Sequence, residues 1–196
     1  MTLREQAIDR FQEWFRQAQD CAEIADATAM TLATVSDGGQ PAARTVLLKG
    51  VDHRGFVFYT NTRSRKGLHL ATQPRAAVCF YWAPLNLQVL VEGDVSQVSG
   101  DEADAYFASR PRLSQVGAWA SEQSQPLDSP ETLAARVDAL EREYADQPVP
   151  RPPHWTGYRI DPTLMEFWAA ADGRLHRRER YQRDGDGAWS HCFVNP

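Results

Sequence analysis

The fold class is decided by the run Met30-Thr-Leu-Ala-Thr-Val35, the turn Ser36-Asp-Gly-Gly39 and the following Ala42-Ala-Arg-Thr-Val-Leu-Leu-Lys49. The first run is rich in β-branched and apolar residues, which favour extended structure. An Asp-Gly-Gly sequence is typical of a tight turn between antiparallel strands. The stretch therefore predicts a β-hairpin in which Ala42–Lys49 returns beside Met30–Val35.

Further strands are predicted after this hairpin. The segments with strand composition are Phe56–Thr60, Ala76–Trp82, Leu87–Val98, Trp155–Ile160 and Leu164–Trp168, with a last hairpin around Asp184–Gly187. Consecutive strands joined by short turns favour an antiparallel sheet, and so many strands must close or stack to cover their edges. We therefore predict a mainly β (α+β) chain, with one domain over residues 1–196 that forms a small antiparallel β-barrel with flanking helices.

Helices are predicted at four places around this sheet. The segments are residues 1–20, Ser64–Ala71, Asp101–Ser109 and 129–144. The last has the clearest signal, because Asp128 and Glu131 can form a capping box and Pro130 suits the first turn. Its buried stripe is predicted to consist of Leu133, Val137, Leu140 and Tyr144.

The composition excludes several classes of protein. Of the 196 residues, 42% are hydrophobic and 24% are charged, which is ordinary for a globular protein. No apolar run approaches the ~20 residues that cross a bilayer, and a net charge of −5 does not favour a general nucleic-acid binder. Three cysteines without paired spacing suit a reducing cytoplasm. We find no metal-spaced Cys/His set, glycine-rich phosphate loop or serine nucleophile elbow, so no metal site is predicted.

Two basic clusters lie near the first strands. In Thr60-Asn-Thr-Arg-Ser-Arg-Lys66, Ser64 can cap a helix whose first turn holds Arg65 and Lys66, where their charge opposes the helix dipole. A bound phosphate would reverse that penalty; the alternative is a solvated basic turn. In Arg44–Lys49 the two end charges face opposite sides of a regular strand, so they serve one site only if one lies at the strand's end. The alternative is a pair of exposed charges.

A third cluster lies around a proline. Tyr106 and Arg110 are four residues apart and share a helix face. Pro111 should end that helix and leave Arg110, Arg112 and Ser114 at its terminus, which suits a second anion. The alternative is the ordinary attraction of cations to a helix C-terminus.

The fourth cluster is Glu166-Phe-Trp168 followed by Arg174-Leu-His-Arg-Arg178. If residues 174–178 are extended, Arg174, His176 and Arg178 lie on one face, which favours an anion or an electron-rich ring. The alternative is a basic edge strand that discourages aggregation. Together the four clusters predict a protein that binds small phosphorylated molecules.

In this order and spacing, the segments resemble the pyridoxamine 5′-phosphate oxidase family. The resemblance runs from about Phe11 to the C-terminus and rests on Ala25-Asp-Ala-Thr-Ala-Met30, Arg44-Thr-Val-Leu-Leu-Lys49, Phe58-Tyr-Thr-Asn61, Ser64-Arg-Lys66, Ser109-Arg-Pro-Arg112, Ser114-Gln-Val-Gly-Ala-Trp119, Glu166-Phe-Trp168, and Arg174-Leu-His176 with Arg178. It implies an FMN-binding split β-barrel that works as a homodimer, with the flavin in a cleft between subunits.

The resemblance also implies roles for individual residues. FMN would be bound by Arg44, Thr45, Val46, Leu47, Leu48, Lys49, Tyr59, Thr60, Arg65, Lys66, Gln88, Gln123, Ser124, Trp168 and Arg178. The substrate phosphate would be bound by Lys49, Tyr106, Arg110 and Ser114. Arg174 and His176 would lie against the substrate's pyridine ring and carry the catalytic role.

The implied reaction is the oxidation of pyridoxamine or pyridoxine 5′-phosphate to pyridoxal 5′-phosphate, with O2 as acceptor and H2O2 as product. This reaction belongs to vitamin B6 biosynthesis and salvage. The chain departs from the family pattern at Ala169, Arg177 and Glu122, and it begins at the first helix, without an upstream segment of longer relatives. These departures leave two alternatives, a split-barrel flavin oxidase or reductase of the phenazine-pathway type and a non-catalytic flavin- or pyridoxal-phosphate-binding protein.

Overall fold

The computed structural model describes residues 1–196, which form nine strands and five α-helices. The strands are β1 (Ala29–Val35), β2 (Pro41–Leu47), β3 (Gly50–Asp52), β4 (Gly55–Asn61), β5 (Arg75–Trp82), β6 (Leu87–Gln97), β7 (Trp155–Ala169), β8 (Arg177–Arg183) and β9 (Trp189–Val194). The helices are α1 (Leu3–Asp20), α2 (Arg65–Thr72), α3 (Gly100–Ser109), α4 (Arg112–Ala120) and α5 (Pro130–Glu143).

All strands belong to one antiparallel sheet. Its main path runs β2-β1-β5-β6-β7-β4-β3, and β8 extends from β7 with β9 at its edge. The long strand β7 changes neighbours along its length, because Trp155–Ile160 pairs with β4 whereas Leu164–Ala169 pairs with β8. A register shift between Glu92 and Gly93 adds a local bend where β6 meets β7. The sheet curls into a half-barrel with helices outside it, which confirms the predicted fold class.

Helix α1 closes the core of the half-barrel. Its N-terminus has a complete capping box, in which Thr2 Oγ1 accepts from the Glu5 amide and the Glu5 carboxylate accepts from the Thr2 amide. Phe11 is fully buried, and its ring centroid lies 4.7 Å from that of Phe56 and 5.0 Å from that of Phe80. Burial of one such side chain contributes about 1.5–3 kcal/mol, so the aromatic cluster ties α1 firmly to the sheet.

The predicted strands are present, with one correction. Trp155–Ile160 and Leu164–Trp168 are two halves of the single strand β7. Pro162 lies between them on the sequence and favours a break, but it sits at the bulged part of the β6–β7 ladder and pairs with Gly93. Proline is tolerated where the ladder is already irregular, so the strand continues through it.

The helix predictions need three corrections. Ser129, and not Asp128, caps α5, since Ser129 Oγ accepts from the Thr132 amide at 3.4 Å. Helix α4 was not predicted: Pro111 ends α3 as expected, but its extended backbone also forms the N-cap of the next helix. The predicted stripe of α5 packs only partly, with each of its four residues half-buried: Leu133, Val137, Leu140 and Tyr144.

Three further findings bear on the class of protein. No helix has both the length and the apolar character needed to span a membrane. Cys21, Cys79 and Cys192 are free thiols. No cluster of three or more His, Cys, Asp or Glu side chains could hold a metal ion.

Candidate functional site

The junction between β4 and α2 is built as the sequence predicts. Ser64 is the N-cap, with its Oγ accepting from the Gly67 amide at 3.3 Å and donating to the Asn61 carbonyl at 2.7 Å. A Cβ at position 67 would lie 2.2 Å from the Thr62 carbonyl oxygen, so only glycine lets the helix start this close to the strand. The junction thereby carries Arg65 into the first turn of α2, at the positive end of the helix dipole.

Lys66 lies buried beside this turn. Its Nζ donates to Gln123 Oε1 at 2.8 Å and to Ser64 Oγ at 3.2 Å, and Thr60 Oγ1 donates to the same Gln123 oxygen at 3.1 Å. Burial, with a smaller contribution from the charge of Arg44, lowers the pKa of Lys66 to about 8. An ammonium group held among neutral oxygens has no counter-charge, so an anion here would stabilise its protonated form.

Arg44 adds a second cation to the same site. Its guanidinium donates to Thr34 Oγ1 at 2.7 Å and to the Leu32 carbonyl at 3.2 Å, and neither oxygen carries a charge. Burial first, and repulsion from Arg65 second, lower the pKa of Arg44. The Arg65 amide donates to Ser124 Oγ at 3.1 Å, which brings the loop after α4 onto the N-terminus of α2. Three cations without a carboxylate form a site suited to a phosphate group.

The other predicted residues of the Arg44–Lys49 segment lie on β2 or just after it. Half-buried Arg44 and Val46 alternate with exposed Thr45 and Leu47 along the strand, after which Leu48 is buried. Lys49 lies beyond the end of β2, where its amide donates to the Val57 carbonyl at 2.8 Å. Arg44 and Lys49 could serve one site only if one of them lies at the end of the strand, and Lys49 does. Lys49 also lines a hollow of about 190 Å³ together with Tyr59.

A larger cavity of about 320 Å³ adjoins the cationic cluster. It brings together residues of both predicted binding sets, Tyr59, Thr60 and Gln123 from the flavin set and Arg110 and Ser114 from the phosphate set. Arg110 Nη1 is buried and has no hydrogen-bond partner. An unsatisfied buried guanidinium nitrogen is costly, and Arg110, which carries it, is the one cationic side chain that lines this cavity.

Tyr106 is positioned by aromatic stacking and does not line this cavity. Its ring lies nearly parallel to that of Tyr59, with 4.0 Å between centroids, and Tyr59 in turn stacks on Trp155 at 5.2 Å. Tyr59 pairs across the sheet with Gly157, where a Cβ would lie 2.7 Å from the Tyr59 ring. The Tyr59 ring can therefore occupy this position only because residue 157 has no side chain.

A second group of predicted residues lies on β6, β7 and β8. Gln88 is opposite Trp168, and Trp168 is opposite Arg178, so three strands carry these side chains in one row. The Arg178 guanidinium donates to Glu166 Oε1 at 2.8 Å and to the Asn195 carbonyl at 2.9 Å. The Arg178 side chain is thus fixed by two hydrogen-bond partners, one on β7 and one at the C-terminus.

Glu166 is the buried anion behind this row. Its carboxylate also accepts two hydrogen bonds from Arg180, the shorter at 2.8 Å. Burial alone would raise its pKa, but the hydrogen bonds and charges of Arg180 and Arg178 outweigh burial and hold the pKa below its usual range. Glu166 therefore stays ionised and fixes two guanidinium groups.

The expectation that residues 174–178 are extended is wrong for Arg174, whereas Arg177 and Arg178 are extended as the first residues of β8. Asp172–Arg174 form a 3₁₀ turn, and Arg174 has a left-handed backbone with φ of 62°. His176 lies between this turn and β8, with its ring centroid 4.7 Å from that of Trp168. Its Nδ1 accepts from the Ala171 amide at 3.2 Å, so Nε2 carries the hydrogen and is left as a donor. The alternation argument failed because the turn, and not a strand, sets the direction of Arg174.

The two groups of residues lie far apart on the sheet. Arg44 on β2 and Trp168 on β7 are separated by four strand spacings, or about 19 Å along the sheet. The cationic cluster of Arg44, Arg65 and Lys66 and the 320 Å³ cavity both include Thr60 and Gln123. The residues around Trp168, Arg178 and His176 belong to neither.

The cavity also includes residues that the sequence analysis did not select. These are Asn61, Gly117, Ala118, Ser121 and Trp155. Gly117 and Ala118 lie on the unpredicted helix α4, so their placement depended on an element that was missed. Trp155 gave the ordinary signal of a core aromatic at the start of a strand, and nothing in its local sequence distinguishes it from one.

Comparison with known proteins agrees with this fold. The curled antiparallel sheet with outer helices defines the chain as a split-barrel protein. The family model described as "Pyridoxamine 5'-phosphate oxidase" matches residues 17–144, and that described as "Pyridoxine 5'-phosphate oxidase C-terminal dimerisation region" matches residues 155–196. The chain belongs to the pyridoxamine 5′-phosphate oxidase family.

Curated relatives and a solved structure resemble the whole chain. The "Pyridoxine/pyridoxamine 5'-phosphate oxidase" of Alkalilimnicola ehrlichii is 55% identical over 197 residues and covers 100% of both chains. The protein of that name from Burkholderia lata is 51% identical over 189 residues, covering 95% of this chain and 87% of its own. The crystal structure of PhzG from Burkholderia lata 383, in complex with tetrahydrophenazine-1-carboxylic acid, superposes with a TM-score of 0.90 at 34% identity, covering 96% of this chain and 92% of PhzG.

Proposed function

We propose that this protein is an FMN-dependent oxidase that converts pyridoxamine or pyridoxine 5′-phosphate to pyridoxal 5′-phosphate, with O2 as acceptor and H2O2 as product. The observation that carries the proposal is the pairing of two anion-binding features around Thr60 and Gln123. One is the cluster of Arg44, Arg65 and Lys66, whose hydrogen-bond partners are all uncharged. The other is the cavity lined by Arg110, whose guanidinium has no carboxylate partner.

The residues suit FMN and a phosphorylated substrate. The flavin phosphate would be held by Arg44, Arg65 and Lys66, where it would supply the missing negative charge. The substrate phosphate would be held by Arg110 and Ser114 in the cavity, with Lys49 and Tyr106 at its margin. Two phosphate sites that share one wall agree with a flavin lying beside the substrate.

FMN, when bound, supplies the redox chemistry, which is hydride removal from C4′ of the substrate and the return of the electrons to O2. The chain itself supplies position and charge. His176 is oriented by Trp168 and by the Ala171 amide, so its Nε2 hydrogen can be donated to a ring substituent of the substrate. The Arg174 guanidinium would stabilise negative charge that develops on the pyridine ring.

The site is proposed to form between two copies of the chain. The row of Gln88, Trp168 and Arg178 lies three to five strand spacings, or about 14–24 Å along the sheet, from Arg44, so we propose that one copy of the chain does not bring both to the same flavin. The match of residues 155–196 to a dimerisation region supports a homodimer that brings one copy's row to the other copy's cluster. We further propose that residues 1–196 form one domain that acts in the cytoplasm.

The test is direct turnover by the purified protein. We expect pyridoxamine 5′-phosphate, FMN and air to yield pyridoxal 5′-phosphate and H2O2, while unphosphorylated pyridoxamine reacts far more slowly. Arg174→Ala and His176→Ala should lower kcat and leave FMN bound. Absence of both products from an FMN-loaded sample would overturn the proposal, whereas a sample that takes up no FMN would indicate a non-flavin function.

A second candidate function is oxidation of a reduced phenazine precursor. It is favoured by the TM-score of 0.90 to PhzG, a protein whose structure holds tetrahydrophenazine-1-carboxylic acid. Against it, this chain is 51% identical to the Burkholderia lata protein named for the vitamin B6 reaction and 34% identical to PhzG of the same species. Offering both substrates to the same preparation separates the two functions by their kcat/KM values.

A further inference from the structure

Arg110 reaches the cavity across the face of an indole ring. Its guanidinium carbon lies 4.8 Å from the Trp155 ring centroid and 5.5 Å from that of Phe107. The same guanidinium leaves Nη1 buried without a partner. The side chain is therefore held by aromatic faces and not by a carboxylate, so its charge remains available to a ligand.

Trp155 is itself fixed from two sides. It is 5% exposed, Phe107 meets it edge-on at 5.1 Å, and Tyr59 stacks on it at 5.2 Å with 13° between the planes. It also lines the cavity beside Arg110 and Ser114. A rigid ring that touches both a cation and the cavity differs from an ordinary core residue, because it can set where that cation points.

We propose that Trp155 is a positioning residue that holds the Arg110 guanidinium toward the cavity and thereby determines the preference for a phosphorylated over an unphosphorylated substrate. This inference rests on the proposed function, in which the cavity takes the substrate phosphate. Arginine has many rotamers, and a side chain ordered before binding does not lose that freedom when the ligand arrives. Burial also lowers the pKa of Arg110, which is the cost of holding the charge without a partner.

The expected effects follow from this arrangement. Trp155→Leu should raise the KM for pyridoxamine 5′-phosphate by about tenfold, as loss of a desolvated cation–π contact implies. Its kcat should change by less than about twofold, since Trp155 acts on phosphate binding and not on the reacting atoms. The KM for unphosphorylated pyridoxamine should not change. Trp155→Phe, which keeps an aromatic face, should give an intermediate KM.

A double-mutant cycle on the FMN-loaded enzyme separates positioning from general loss of structure. In an Arg110→Gln background, Trp155→Leu should add less than about a further twofold to KM, because its effect passes through Arg110. Equal losses in both backgrounds would overturn the inference, as would a fall in kcat at unchanged KM. Trp119→Phe is the matched control, since Trp119 Nε1 donates to the Pro150 carbonyl and lies outside the cavity lining.

Calorimetric titration of the FMN-loaded protein with inorganic phosphate gives a readout that does not need turnover, and FMN then occupies the other anion site at Arg44, Arg65 and Lys66. Weaker phosphate binding by Trp155→Leu, but not by Trp119→Phe, would support the inference even if pyridoxamine 5′-phosphate is not a substrate. Equal binding by wild type and Trp155→Leu would overturn it even if the oxidase activity is present. If Trp155→Leu fails to fold, the comparison of Trp155→Phe with wild type in the same titration decides the question, and unchanged affinity counts against the role.

Discussion

FMN affinity should fall as the pH rises through the pKa of Lys66. In the free protein burial and the neighbouring charge of Arg44 lower that pKa to about 8, so the ammonium loses its proton in a range where most proteins are stable. A phosphate dianion bound beside Lys66 would raise the pKa again by supplying the missing counter-charge. Above pH 8, binding FMN must therefore be coupled to uptake of one proton.

The magnitude follows from the pKa. With a value of about 8, roughly 90% of Lys66 is protonated at pH 7 and roughly 10% at pH 9. If the bound-state pKa lies above 9, the Kd for FMN rises about tenfold between these two pH values, which corresponds to about 1.4 kcal/mol. A phosphate monoester with its second pKa near 6 stays dianionic throughout this range, so its own titration adds little.

The assay is quenching of flavin fluorescence by apoprotein at constant ionic strength between pH 7 and pH 9. Lys66→Arg is the matched control, because a guanidinium remains charged throughout and the pH dependence should disappear. Lys66→Met should bind weakly and also without a slope. A wild-type Kd that is the same at pH 7 and pH 9, or a slope that persists in Lys66→Arg, would refute the role given to Lys66.

Three further outcomes are expected. Lys66→Met should stabilise the apoprotein by about 1–2 kcal/mol at pH 7, because the lowered pKa of Lys66 in the folded state means that folding disfavours its charged form. This gain should shrink as the pH rises from 8 toward 10.5, and urea unfolding at several pH values measures it. Gly157→Ala places a Cβ 2.7 Å from the Tyr59 ring and should cost about 1–3 kcal/mol and weaken substrate binding, whereas Gly100→Ala, with open space around it, should change neither. Glu166→Gln should lower the free energy of unfolding by about 2 kcal/mol at neutral pH, since Arg178 and Arg180 lose their anionic partner. The difference from wild type should vanish as the pH falls through the lowered pKa of Glu166. A difference that does not depend on pH would contradict the ion-pair explanation.

Local sequence signals determined the strands and the first anion site. Alternating apolar residues and tight turns placed β1, β2, β4, β5 and β6 within a residue or two, because pleat and turn geometry act over a few neighbours, whereas the short strand β3 was not predicted. The cap at Ser64 was predicted for the same reason, since its bonds reach only to Asn61 and Gly67. The charges at Arg65 and Lys66 then indicated an anion by their position on the helix.

The C-terminal cluster shows where local reasoning stops. The alternation rule required residues 174–178 to be extended, and the left-handed backbone at Arg174 removed that condition. The continuous strand through Pro162 also contradicted a local rule, because the β6–β7 bulge provides room for it. The second deviation depends on Gly93 of β6, which is distant in sequence from Pro162.

The sequence by itself determined the fold class, the helix-start anion cluster and the family resemblance, since each is encoded in short runs of residues. Only the tertiary structure decided that Lys66 is buried against Gln123, that Gly157 makes room for Tyr59, and that Trp155 lies under Arg110. These contacts join residues from 45 to 98 positions apart, and their energies depend on burial and facing angles that packing alone creates. The chemistry of the site therefore lies in which side chains the curled sheet brings together.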